Sequence, residues 1–168
     1  HYPKDIETEI AIIEQEAQIL LSPEEELRIP KFIKEIIAEI TFEARKSPEV
    51  NQSSGVSVRM SISNYENIIS SARKRALQLG ENPVVPRLTD LSAIYPSSRG
   101  KIELEYTGEE RSETELIEVF IARAIKKVFE FFKTLEATSP HTAGLLRFWA
   151  RNYYRISLGR GVASFLFN

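Results

Sequence analysis

Cysteine is absent from this chain of 168 residues. That excludes a disulfide framework, a thiolate zinc site and a cysteine nucleophile. Histidine occurs twice, as His1 and His141, too few for a histidine metal site or a Ser-His-Asp arrangement. No apolar run approaches the roughly 18 residues a membrane helix needs, and no basic-then-apolar segment opens the chain as a signal peptide would. The expectation is a cytoplasmic protein with no membrane span. Methionine occurs once, at Met60, and the chain opens on His1, which reads as a piece of a longer protein. Internal repeats and low-complexity segments are also missing.

What is present suits one folded domain with an extension. Apolar residues make up 42% and charged residues 27%. A chain of this size buries about 68–70% of its unfolded surface, enough for a true core. The formal net charge of −2 conceals an asymmetry. Residues 1–138 carry 18 basic against 24 acidic residues, a net of −6, whereas residues 139–168 carry four arginines and no acid. The break at Ser139-Pro140 divides a body, 1–138, from a basic extension, 139–168.

Periodicity predicts helices through most of the body. Ile6, Ile10, Ile13 and Ala17 form one stripe over residues 5–21, with Glu7, Glu9, Glu14 and Glu16 at the remaining positions, and Pro23 closes the pattern. Phe32, Ile33, Ile36, Ile37, Ile40 and Ala44 predict a second helix over 31–46, between Pro30 and Pro48. Residues 47–58 read as a loop. Ser63 and Glu66 have capping-box spacing and predict the start of a third helix that stops at Gly80. A short helix is expected around Thr89–Tyr95. Lys101–Tyr106 alternates apolar and charged residues and is either a brief strand or hairpin near 101–106 or a linker. Ser112 and Glu115 repeat the capping-box spacing ahead of a long helix through Leu135. Ser139-Pro140 would start another helix, ending at Gly159. The fold class is all-α, a helical bundle.

The motifs that would carry chemistry fail on inspection. Gly100-Lys101 has the ending of a phosphate-binding loop, but Ile102 stands where Ser or Thr must hold magnesium, and Tyr95 where the first glycine belongs. Gly159-x-Gly161 follows a helix rather than a strand. Ile12-Ile13-Glu14 is helical core beside a solvated acid. The runs Glu24-Glu25-Glu26 and Glu109-Glu110 read as solvated faces, because exposed acids are common. His141 has no partner acid nearby in sequence. No catalytic motif and no metal site are expected in this chain.

Three stretches carry a family resemblance: IPKFIKEIIAEITFEARKS (29–47), QSSGVSVRMSISNYENIISSARKRAL (52–77) and PRLTDLSAIYPSSRGKIELEY (86–106). Over about residues 1–135 the chain resembles the C-terminal helical lid of AAA+ ATPases of the magnesium-chelatase I-subunit type. The most specific part is the approach Gly55-Val56-Ser57-Val58-Arg59 to a helix. The resemblance implies a lid packed beside an α/β nucleotide-binding core and neighbouring subunits of an oligomeric ring. It also implies that Arg59, just ahead of a helix, is the arginine called sensor 2, which points to the phosphates of ATP bound with Mg²⁺ in the core. A guanidinium suits that task, since it stays charged and presents a rigid fork of donors. The family's phosphate loop, acidic strand-end motif and arginine finger lie upstream of the matching region. This chain is therefore expected not to hydrolyse ATP by itself.

The resemblance does not extend into residues 139–168. Arg147, Arg151 and Arg155 recur every fourth residue, so a helix would align them on one face, with Phe148, Trp149, Tyr153 and Tyr154 interleaved. Basic and aromatic residues in that arrangement stack bases and hold phosphates. The second functional expectation is accordingly a free-standing interaction or nucleic-acid-binding module using this tail. The plainer one is a helix that lays its arginines on the acidic body.

Overall fold

The computed structural model describes residues 2–51, 53, 55–105 and 112–136, with 131–136 as backbone. It contains five α-helices and no named strand among the described residues: α1 (Ile6–Glu16), α2 (Lys31–Lys46), α3 (Val58–Leu79), α4 (Ile94–Ser98) and α5 (Glu113–Glu136). A 3₁₀ turn over Leu88–Ala93 leads into α4.

Helix α2 is the hub. Ile33, Ile36, Ile37, Ala38, Ile40 and Ala44 are all buried, so its apolar surface extends well beyond one stripe. A helix of that kind must be covered on several sides, and α1, α3 and α5 all pack on it. α5 runs antiparallel to α2: Lys127 bonds to Glu39, and the Phe129 ring meets Phe32 at 6.2 Å between centroids. Leu116, Ile117, Phe120, Ala124 and Ile125 of α5 join the α2 isoleucines and Met60, Ile68 and Ile69 of α3 in one core.

The boundaries of α2 fall where the sequence places them, and α5 begins at the expected capping box. There the Glu115 amide donates to Ser112 Oγ (3.2 Å) and the Ser112 amide donates to Glu115 Oε2 (2.8 Å). Two other expectations need correction. α1 ends at Glu16 rather than near residue 21, because the chain turns extended at Ala17 and the Gln18 amide donates to Glu66 Oε1 on α3 (2.9 Å). α3 starts at Val58, not at Ser63. Ser57 is its cap, accepting from the Arg59 amide (3.2 Å), and Glu66 is occupied by Gln18 instead of a capping box. For the alternating segment the linker alternative holds over the described residues 101–105, which make a single antiparallel bridge, Val50 to Leu104, and no strand. The stop at Gly80 is a left-handed cap with φ +66°, a conformation glycine adopts without strain.

Charged side chains tie the connections to α3. Arg75 donates to Glu81 Oε2 (2.8 Å), to the Val85 carbonyl (2.7 Å) and to buried Asp90 (3.0 Å). Arg73 donates to Glu25 Oε1 (2.7 Å) and to the Leu20 carbonyl (2.9 Å). The acidic run at 24–26 is thus not simply a solvated face, since Glu25 and Glu26 pair with Arg73 and Arg28. The Arg73 guanidinium, then the Ser22 amide, holds the Glu25 carboxyl down to about 2 from an ordinary 4.5. A depressed carboxyl stabilises the fold above its unfolded value and loses that contribution as pH falls through its folded value. The expected outcome is acid sensitivity between pH 4.5 and about 2 that Glu25→Gln flattens. Urea midpoints measured across that window check it, and an unchanged slope in the variant would remove Glu25 from the account.

Candidate functional site

The loop between α2 and α3 enters the first turn of α3, and Arg59 is the second residue of that helix. This corrects the expected placement ahead of the helix: Arg59 lies inside the first turn. Its side chain is exposed, and its guanidinium has no hydrogen-bond or ion-pair partner among the described residues. The first turn of α3 contains no acidic residue. A helix N-terminus is the positive end of the macrodipole, so a cation there is disfavoured by about 0.3–1 kcal/mol. Arg59 and the positive end of α3 together form a region that favours an incoming anion.

Behind Arg59 lies a buried polar network that was not expected from the sequence. Glu9 on α1 is fully buried. Arg45 on α2 grips it with both arms of its fork, Nη1 to Oε2 (2.8 Å) and Nη2 to Oε1 (3.1 Å). Ser61 on α3 donates its hydroxyl to Glu9 Oε1 (2.6 Å) and shares a 2.6 Å hydrogen bond with Thr41 on α2. The remaining Arg45 donor, Nε, goes to the carbonyl of Val56 in the loop before α3 (2.8 Å). The Tyr2 ring lies under the guanidinium, 4.9 Å from its centroid to Cζ. The Tyr2 hydroxyl fills the space a Cβ at Gly55 would need, and the φ of +65° there also suits a residue without a side chain. An acid that the sequence places off the apolar stripe of α1 is therefore the centre of a three-helix junction. A readable signal existed: Glu9 lies three residues after Ile6 and four before Ile13, on the flank of the apolar stripe.

Acid–base chemistry finds little support in the tyrosines near the core. Burial, with the Glu14 charge adding, pushes Tyr65 up to about 12. Burial, then Glu118, also raises Tyr95. Among the described residues, no group of three or more His, Cys, Asp and Glu is placed to hold a metal ion. No helix among them is long and apolar enough to cross a membrane. Arg147, Arg151 and Arg155, the proposed division at 138–139 and His141 lie outside the described residues. Comparison with protein-family models, with curated proteins and with solved structures finds no match.

Proposed function

We propose that this chain is the helical lid of an AAA+ ATPase of the magnesium-chelatase I-subunit type. In this reading Arg59 engages the phosphates of ATP held with Mg²⁺ in an adjoining α/β core, and the lid contributes contacts to neighbouring ring subunits in the cytoplasm. The lid supplies no catalytic group. Its part is to report the phosphate state: when the terminal phosphate leaves, the charge that Arg59 holds leaves with it, and the lid is free to change its angle.

The observation that supports this reading is the unpaired, exposed guanidinium of Arg59 on the positive end of α3. Exposed Arg99 and Arg123 also have no side-chain partner among the described residues, so what sets Arg59 apart is its place in the first turn of α3. Arg59 has the chemistry for a phosphate and, among the described residues, no partner that competes for it.

The test is ATP hydrolysis by the protein in which this lid accompanies its nucleotide-binding core. A charged hydrogen bond of about 1.5–3 kcal/mol corresponds to roughly tenfold or more in rate. Arg59→Ala is expected to lower turnover by about that factor while leaving the thermal midpoint of the lid unchanged. Unaltered turnover would take Arg59 out of the nucleotide site.

A further inference from the structure

The residues on either side of Arg59 are both anchored, and both anchors meet at one buried ion pair. Upstream, Arg45 holds the Val56 carbonyl through Nε (2.8 Å). Downstream, Ser61 is held by Glu9 (2.6 Å) and by Thr41 (2.6 Å). Glu9 and Arg45 hold each other by a bidentate contact. Val56, Met60 and Ser61 are buried, whereas Arg59 between them is exposed. The turn that carries Arg59 is thus clamped at its two feet while its outward side chain is left unpaired.

We propose that Glu9 and Arg45 are positioning residues for Arg59, so that seating of α1 governs whether Arg59 is presented to a phosphate. This rests on the reading of Arg59 as a phosphate-engaging residue. Glu9 arrives only with α1, which places Ile13 fully in the core and Ile6 and Ile10 partly buried against it. The seating of this helix therefore combines a modest apolar face with its polar contacts at Glu9. Losing those contacts takes away the bidentate partner that fixes Arg45 and one of the two partners of Ser61, which loosens both ends of the Arg59 turn. By linkage, a phosphate that prefers the clamped turn strengthens the seating of α1.

The chain itself, labelled with ¹⁵N, tests both parts. In Glu9→Gln, exchange of the Met60 and Ser61 amides is expected to accelerate about tenfold more than that of Ile68 and Ile69 further along α3, the mark of local opening. Equal acceleration along the whole helix overturns the proposal, because the network then only stabilises the fold as a whole. Arg45→Lys keeps a positive charge beside Glu9 but lacks the fork that also reaches Val56. It is expected to reproduce the local loosening, and full retention of wild-type exchange overturns the proposal. Should Glu9→Gln fail to fold, Ser61→Ala removes the hydroxyl's two hydrogen bonds, to Glu9 and Thr41, and is read the same way. The second measurement follows the Arg59 Nε–Hε resonance during titration with inorganic tripolyphosphate. The expected result is a saturable shift in the native chain, with about tenfold weaker apparent affinity in Glu9→Gln. A shift that is equally strong in both chains overturns the positioning role. No shift in the native chain, with local exchange as expected, overturns the phosphate reading of Arg59 and not the clamp.

Discussion

Arg45→Met is expected to lower the stability of the fold by about 3–5 kcal/mol, because it leaves a buried carboxylate without its countercharge. Glu9 is fully buried, and the Arg45 side chain is 11% exposed. Water therefore does little to re-solvate the abandoned acid. Against a typical domain stability of about 5–15 kcal/mol, the loss is a large fraction of the total. The companion change separates the pair's own worth from the penalty of breaking it. Replacing both partners, Glu9→Leu with Arg45→Met, is expected to recover most of the loss, since well-packed apolar residues often match a buried ion pair. Recovery should fall short by about 1 kcal/mol, one hydrogen bond, because the Val56 carbonyl loses its donor in either variant. Thr41 and Ser61 still satisfy each other. Urea denaturation of the two single variants and the double variant completes the cycle. A single-variant loss below about 1 kcal/mol would mean that the pair is effectively solvated, as surface pairs are.

The difference between what the sequence shows and what the structure adds follows the range of the interactions. α2 was legible to the residue because its signals are local: an apolar pattern at helical spacing, Pro30 before it and Pro48 after it. The same holds for the Ser112–Glu115 start of α5 and the glycine stop of α3. The start of α3 was misread for a physical reason. Two candidate caps compete, Ser57 and Ser63, and the choice depends on Glu66, which a distant amide at Gln18 has taken. The end of α1 was misread likewise, since Ile19, Leu20 and Leu21 prolong an apolar pattern that the chain does not use as helix.

At the candidate site the same division appears more sharply. The residue type of Arg59 and its nearness to a helix start could be read directly. Its lack of a partner among the described residues could not, because that depends on where distant acids fold. The clamp was invisible for a related reason. Glu9 meets Arg45 across 36 residues and Ser61 across 52, and no spacing rule spans such separations. A carboxylate on the edge of an apolar stripe is ordinarily turned outward. It turns inward here because Arg45, in the last turn of α2, and Ser61, in the first turn of α3, converge on it.

Phe120→Ala is expected to cost about 3–5 kcal/mol, the range for removing a fully buried phenylalanine. Phe120 has no exposed surface and sits in the stripe that α5 shares with the α2 isoleucines. Two contributions add there. The apolar area removed from water is lost, and a void opens between α2 and α5, two helices whose other ties hold them in place. The Lys127 bond to Glu39 and the contact between Phe129 and Phe32 keep α5 in register, so the helices have limited freedom to close on the gap. That restraint places the cost toward the upper part of the range, since residual cavity volume is what separates expensive truncations from cheap ones. Leu77→Ala is the internal control. Its side chain is 66% exposed near the end of α3, and its removal is expected to change stability by no more than about 0.5 kcal/mol. Chemical denaturation of both variants, with the denaturant slope unchanged from the native chain, makes the comparison. A cost below about 1.5 kcal/mol for Phe120→Ala would show that α5 is not bound into the core it shares with α2. Arg59 would then stand on a three-helix unit of α1, α2 and α3 whose stability owes little to α5.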